Sequence, residues 1–420
     1  MERQDRVGIC PEPRRPRRLS ETSCLSFPFS GPTLSLLGVL TLAVLAYLVW
    51  TWWRGEIVLD AAGVARRVRD DWRLWLAVGL IAWSLLGRAP ALLLLARADT
   101  EPTEPRRGAG TIIASPTGAK LYVEREGGEE GPVVIATHGW GLDSTIWQYL
   151  KRRLGRERSL VPHCLVTWDL PGLGRSKAPI TGEISLSNFA VDLGRLIEDV
   201  APRRVILVGH SIGGMTIQTL ARDQPALFNA RVSGVVLLNT TYTNPLRTMV
   251  FSPLMTALRK PLLEPLFKMT VLLTPLAWLS AWQSYLNGTA HLANRIQFGA
   301  APSRSQLEHT TLLGTRNSPA ALARGNLAMF DWDATGVIAD MSCPVLIVGG
   351  DLDLVTRVEA SEALTRASRT GALERVSRVN HMGFLEREHH YNALITAFVA
   401  EQGKELPVAQ SAAASRPTQA

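Results

Sequence analysis

Cysteine is scarce in this chain, with four among 420 residues. Cys10, Cys24, Cys164 and Cys343 show no C-x-x-C spacing, which leaves no disulfide framework and no zinc site. No segment repeats at a fixed period. A basic stripe with interleaved aromatics is missing too. The net charge is +8, but residues 1–107 hold 15 Arg against 11 acids, so about half the excess lies in the N-terminal quarter. No nucleic-acid partner is expected from that distribution. Charge of either sign is absent from Thr33 to Trp53. At 46% hydrophobic residues the chain has ample material for a sizeable core, and its length points to one large α/β domain plus extras.

Residues 1–32 are Pro- and Arg-rich and read as a disordered basic tail. The uncharged run 33–53 follows. At 1.5 Å per residue its length matches a hydrocarbon core of roughly 30 Å, and Trp50, Trp52 and Trp53 suit a membrane interface. A second apolar run, 74–96, is interrupted by Arg88-Ala89-Pro90, an Arg costly in lipid unless it reaches a headgroup. Two spans in a hairpin are expected; the alternative is a single span, with the second helix lying in the interface or packed on the soluble domain, which would move the C-terminal domain to the other side. Residues 1–32 and 97–120 carry six Arg and four Lys/Arg, against five Arg in 54–73. The positive-inside rule then puts the tail and the C-terminal domain on the cytoplasmic side.

Residues 98–110 read as a linker by their Pro, Gly and charge. Beyond it, apolar runs at 111–114, 120–123, 133–137, 163–168, 205–208, 235–238 and 345–348 read as strands alternating with helices. That alternation argues a mostly parallel sheet with helices on both faces. About a hundred residues, 243–340, separate the last two of these strands. They show helical apolar patterns broken by prolines and read as a helical lid. Phe251, Leu262, Leu263, Phe267, Leu272, Leu273, Trp278, Trp282 and Phe298 are expected mostly to pack the lid onto the sheet domain. After Gln402 the tail, residues 403–420, is expected to be disordered.

The chemistry centres on Val205–Gly214, where a buried strand runs into Gly-His-Ser-Ile-Gly. This pattern fits a nucleophile elbow, in which Ser211 sits strained at a strand-to-helix turn. Gly209 and Gly213 permit a close backbone approach. A serine hydroxyl needs a base, an orienter and an oxyanion site. The acid and the histidine should follow it in that order. Asp353, in Gly-Gly-Asp-Leu-Asp, is the preferred acid, with Asp351 as fallback. The previous strand ends in Asn239-Thr240-Thr241 and offers no carboxylate. His381 is the candidate base. His138 and His210 read as packing and hydrogen-bonding groups, and His163, His291, His309, His389 and His390 as edge, lid or surface residues. Backbone amides of Ile212 and Trp140 are the candidate oxyanion donors. Residues 169–176 read as structural turn chemistry or as a loop shaping the site's mouth.

Taken in order, HGWG (138–141), DLPGLGRS (169–176), GHSIGG (209–214), GDLD (350–353) and NHMGFLE (380–386) resemble the α/β-hydrolase superfamily over about residues 110–402. The resemblance implies an α/β-hydrolase sheet with a helical lid. It further implies Ser211 as nucleophile, His381 as base, Asp353 as acid, Trp140 and Ile212 as oxyanion hole, and no metal or organic cofactor. Ser211 argues against epoxide hydrolases and haloalkane dehalogenases, which carry Asp at the elbow. HGW is similar to perhydrolases and haloperoxidases, which usually have Pro where this chain has Gly141. The expected function is a membrane-anchored esterase or lipase acting on a small lipophilic ester. Acyltransferase, perhydrolase and C–C bond hydrolase activities are alternatives on the same residues, and a non-catalytic membrane scaffold is a third class. Beyond the lipid bilayer, the sequence names no partner and no oligomeric state.

Overall fold

A computed structural model describes residues 30–100, 105, 107–128, 131–157, 163–200 and 203–404. The expected tails lie outside the described residues, except where 30–32 and 403–404 belong to helices. The chain opens with helix α1 (Ser30–Arg54), which carries the uncharged run, and a small antiparallel hairpin of β1 (Glu56–Leu59) and β2 (Ala65–Val68). Helices α2 (Asp71–Leu86) and α3 (Arg88–Leu95) follow, so the second apolar run is divided, with a 61° bend at Gly87. α3 lies against the later lid helices rather than continuing α2. Among residues with described side chains, no single helix is long and apolar enough to cross a membrane.

Described residues of the expected linker are held on the domain. Arg97 exchanges backbone hydrogen bonds with the segment 302–304, and Asp99 accepts from the Ser305 amide at 3.0 Å. The sheet then begins with β3 (Gly110–Ala114), β4 (Lys120–Gly127) and β5 (Val133–Thr137). A 3-10 turn (Ser144–Trp147), α4 (Gln148–Glu157), β6 (Cys164–Trp168), α5 (Leu186–Asp199) and β7 (Val205–His210) come next. α6 (Ile212–Asp223), α7 (Pro225–Arg231) and β8 (Val232–Leu238) lead into the lid.

The lid comprises α8 (Pro245–Thr248), α9 (Ser252–Leu258), a π-turn (Arg259–Leu263), α10 (Glu264–Leu272), α11 (Thr274–Leu286), α12 (Thr289–Arg295), α13 (Arg304–Arg316) and α14 (Pro319–Phe330). Pro253, Pro265, Pro275 and Pro319 each sit in the first turn of a helix, where a missing N–H costs nothing. β9 (Val345–Gly350), α15 (Val358–Ala367), β10 (Gly371–Val376), α16 (Gly383–Glu386) and α17 (Glu388–Lys404) complete the fold.

The eight-stranded sheet has the order β10-β9-β8-β7-β5-β6-β4-β3, parallel from β10 to β6 and antiparallel at the β4 and β3 edge. Central strands are apolar on both faces because alternate side chains feed two different cores. Val133, Ile135, Val205 and Leu207 enter one core with Phe189, Leu193 and Met215. Val134, Ala136, Ile206 and Val208 enter the other with Trp147, Tyr391 and Ile395. A third cluster, around Met255, Leu263, Phe267 and Phe330, stabilises the lid itself.

The lid corrects one expectation. Leu263, Phe267 and Phe298 are buried, but Phe251, Leu262, Leu272, Leu273, Trp278 and Trp282 are exposed. Leu262 lies in the π-turn, and Leu272 and Leu273 lie at the bend between α10 and α11. Arg88 also has a partner that no local pattern shows. Its Nη1 donates to Glu308 Oε1 at 3.0 Å and to the Tyr285 hydroxyl at 2.6 Å, across 220 and 197 residues.

Candidate active site

Ser211 follows β7 and precedes α6 with φ +53° and ψ −119°, a conformation a non-glycine residue adopts only under constraint. Neighbouring glycines create the constraint. A Cβ on Gly209 would lie 2.5 Å from the Gly213 carbonyl carbon, and one on Gly213 would lie 2.3 Å from the Thr137 oxygen. The Ser211 amide donates to Leu238 O at 3.0 Å, and Thr240 Oγ1 donates to Ser211 O at 2.6 Å. The elbow is therefore clamped from β8 as well as from β5.

The structure brings together the three residues expected from the sequence. His381 Nε2 lies 3.0 Å from Ser211 Oγ, and its Nδ1 lies 3.0 Å from Asp353 Oδ2. Asp353, on the turn after β9, is completely buried as a side chain. Burial alone would raise its carboxyl pKa. His381, Asn239 and the Thr356 amide outweigh burial and hold it below the ordinary carboxylate value. Asp351 points elsewhere and accepts from the Arg378 amide at 2.6 Å, which satisfies the turn.

Three further side chains hold this arrangement and were not singled out from the sequence. Asn239 Nδ2 donates to Asp353 Oδ2 at 3.0 Å, while its Oδ1 accepts from Tyr391 Oη at 3.1 Å. It stands directly after β8, where the sequence offers an Asn in place of a carboxylate. Thr356 donates its hydroxyl to Asp353 Oδ2 at 2.9 Å. Asn380 Oδ1 accepts from the His381 amide at 2.7 Å, and its Nδ2 donates to Ile296 O at 2.7 Å, joining the histidine loop to the lid.

His210 and His138 pack and hydrogen-bond as expected. His210 Nε2 donates to the His381 carbonyl at 3.1 Å, and burial beside His381 lowers its pKa to about 3, so the ring is neutral. His138 Nε2 accepts from the Leu170 amide at 3.0 Å, which puts its proton on Nδ1, donating to Gly139 O at 2.8 Å. Burial likewise lowers the His138 pKa. His309 is lowered to about 4 by burial and lies 3.1 Å from Thr145 Oγ1.

The loop from 138 to 145 carries Trp140. The Trp140 indole donates to Leu322 O at 3.1 Å, so the ring joins this loop to α14. Asp169 fastens the same loop, accepting from the Ser144 amide at 2.7 Å and from Arg107 Nη1 at 2.9 Å. Arg107 Nη2 also donates to Asp143 Oδ2 at 2.5 Å. The segment 169–176 is thus turn architecture, with Gly172 and Gly174 at positive φ. Ile212 is the first residue of α6, so its amide has no intrahelical acceptor.

Ser211, His381 and Trp140 open onto a cavity of about 290 Å³ beneath the lid. Met249, Phe267, Met329 and Phe330 supply apolar surface, and among the described residues no Asp, Glu, Lys or Arg lines it. Among the described residues, no group of three or more His, Cys, Asp or Glu side chains is placed to hold a metal ion.

Comparison with known proteins agrees with the fold. Residues 133–393 match the model of the Alpha/beta hydrolase family. The pimeloyl-[acyl-carrier protein] methyl ester esterase of Vibrio atlanticus (strain LGP32) is 26% identical over 249 residues, 57% of this chain and 83% of that enzyme. Its counterpart from Pectobacterium carotovorum subsp. carotovorum (strain PC1) is 37% identical over 108 residues, 26% of this chain. There the chain spans only 37% of the relative's length. An esterase from Exiguobacterium antarcticum superposes with a TM-score of 0.56 at 21% identity, covering 69% of this chain and 99% of that one.

Proposed function

Since this chain belongs to the alpha/beta hydrolase family, we propose that it is a membrane-anchored serine hydrolase cleaving a small lipophilic carboxylic ester. The observation that carries the reading is the relay Ser211 Oγ–His381–Asp353, at 3.0 Å on each side, facing an uncharged cavity. His381 Nε2 takes the Ser211 proton as Oγ attacks the ester carbonyl. Asp353, ionised, accepts from Nδ1–H, keeps Nε2 basic and stabilises the imidazolium. Negative charge on the tetrahedral oxygen meets the amides of Ile212 and Trp140. His381 then protonates the leaving alcohol, and an acyl-enzyme remains on Ser211. Water, deprotonated by His381, releases the acid. The relatives' activity on a methyl ester supports the ester class, and the apolar cavity wall supports a lipophilic acyl or alcohol group.

Helix α1 is assigned to the membrane on its charge-free run and its Trp cluster, and α2 with α3 as the return span of a hairpin, which by the Arg/Lys distribution leaves the catalytic domain on the cytoplasmic side. A fluorophosphonate probe is expected to label the wild-type chain and not Ser211→Ala. Absence of labelling in a folded sample would overturn the mechanism. Fractionation with carbonate-washed membranes tests the anchor, and recovery of the full chain in the soluble fraction would remove it.

A further inference from the structure

Most of the large apolar lid residues expected in the core instead face outward, and they lie together. The stretch Met269–Leu286 carries no charged residue. Met269, Leu272, Leu273, Leu276, Trp278, Leu279 and Trp282 are all exposed in it, Leu272 to 79%. An exposed apolar patch of this kind marks an interaction site, whereas scattered exposed leucines do not. α1 packs against α11 and touches α10 and α12, and α2 also touches α11. The patch therefore continues into the charge-free helix assigned to the membrane. Any depth of insertion of α1 brings this face with it.

The same two helices roof the cavity. Phe267 and Thr270 of α10 and Ala277, Ala281 and Ser284 of α11 line it from inside, while Leu272, Leu276 and Leu279 point away. One helix thickness separates the cavity from the apolar surface. Residues 252–286 together satisfy the length and composition of a span, but with a 101° bend at Leu273, the geometry of a re-entrant hairpin. Lys260 and Lys268 are exposed at its flank, where ammonium groups meet anionic headgroups. Arg259 is already paired with Glu264 and Asp331.

We infer that the lid segment α9–α11 is itself a membrane-embedded element: its outer face inserts among lipid acyl chains and admits the ester to the cavity from the bilayer. The inference rests on the assignment of α1 to the membrane. A bilayer fits better than a second copy of the chain, because the face is continuous with α1 and has a cationic rim.

The test uses the full chain in phosphatidylcholine/phosphatidylglycerol vesicles. Cys10, Cys24 and Cys164 are changed to Ser, and Cys343, buried with its thiol pKa pushed up to about 11 by that burial, is left in place. A nitrobenzoxadiazole label at Leu272→Cys should shift to the blue and be quenched by acyl-chain-brominated lipids. The same label at Arg366→Cys on the sheet domain should show neither effect. Water-like emission at residue 272 overturns the inference. So does a blue shift without bromolipid quenching accompanied by concentration-dependent cross-linking, which gives the face to a second copy.

Leu272→Glu/Leu276→Glu/Leu279→Glu should lower hydrolysis of a vesicle-borne long-chain acylglycerol at least tenfold. Hydrolysis of p-nitrophenyl butyrate in solution should stay within twofold. Equal retention on both substrates overturns the inference and leaves the esterase reading intact. If the wild-type chain hydrolyses neither substrate while the label at 272 is still quenched, the esterase reading fails and the docking face stands.

Discussion

The two sides of the cavity are built on opposite principles. Its floor, at the C-terminal ends of β5, β7 and β9, is over-determined. Ser211 at φ +53°, Asp353 with acceptor sites filled by Asn239, Val355 and Thr356, and His381 held by Asn380 and His210 leave little freedom. Its roof is two helices, α10 and α11, that meet at a sharp bend, with Leu272, Leu276 and Leu279 facing outward and Phe267, Ala277 and Ala281 facing the cavity. Catalytic geometry needs a rigid frame, because a misplacement of about 1 Å costs orders of magnitude in rate. A lipophilic substrate, by contrast, needs a wall that apolar groups can pass.

Replacing Asp353 with Asn should break the floor most severely. It removes the charge that orients His381, and a loss of roughly 10⁴-fold in kcat is expected with the fold retained, measured by steady-state kinetics beside circular dichroism. Gly213→Ala comes next. Its Cβ would fall 2.3 Å from a backbone oxygen of β5, which no side-chain rotation relieves. A destabilisation of about 1–3 kcal/mol is expected, read from the urea midpoint, with activity lost out of proportion because the elbow must shift. Gly314→Ala, inside α13 with nothing within 4 Å of the added Cβ, should shift the urea midpoint the other way, a stabilisation of about 0.4–1 kcal/mol from the lower backbone entropy of the unfolded chain.

Acid sensitivity is also built into the floor. His210 has a folded pKa of about 3 against 6.5 for the unfolded chain. Between those values the unfolded state binds a proton that the folded state refuses. The stability conferred by neutral His210 is thus complete above pH 6.5 and falls as pH drops toward 3. His210→Gln, which can still donate to the His381 carbonyl, should flatten that fall by up to ~1.4 kcal/mol per pH unit. Denaturant titrations at pH 4, 5 and 7 check it; an unchanged slope would mean His210 is protonated in the folded state.

In the roof the expected effect is local. Glu308 accepts from Arg88 and Tyr285 and pairs with His291 Nε2 at 2.7 Å, tying α3 to α11, α12 and α13. Glu308→Ala should cost about 1–3 kcal/mol by stranding those partners. Amide exchange should rise in α11 and α12 and remain unchanged in β7.

Much of the floor was legible in residue order alone. Buried parallel strands announce themselves as branched apolar runs, and an elbow demands glycines at fixed offsets from its serine, since only a missing Cβ fits the approach. Each of the five motifs sits at a strand end in the order that the topology requires. The turn after β9 already favours Asp353 over Asp351, and the fold brings Asp353 to a histidine 28 residues away while Asp351 accepts from a backbone amide, but local spacing does not show which side chains surround the acid. Nor does it reveal that Asn239 completes the acid's hydrogen bonds.

The lid marks the clearest division. Its composition predicted helices, and helices form, because propensity and proline position are local. Which face of each helix turns inward depends on the bends at the π-turn and at Leu273, and on α1 arriving from 200 residues earlier. Burial is a property of neighbours. Only the tertiary structure decided that Phe267 lines the cavity while Leu272 faces outward, and that Arg88 ends on Glu308.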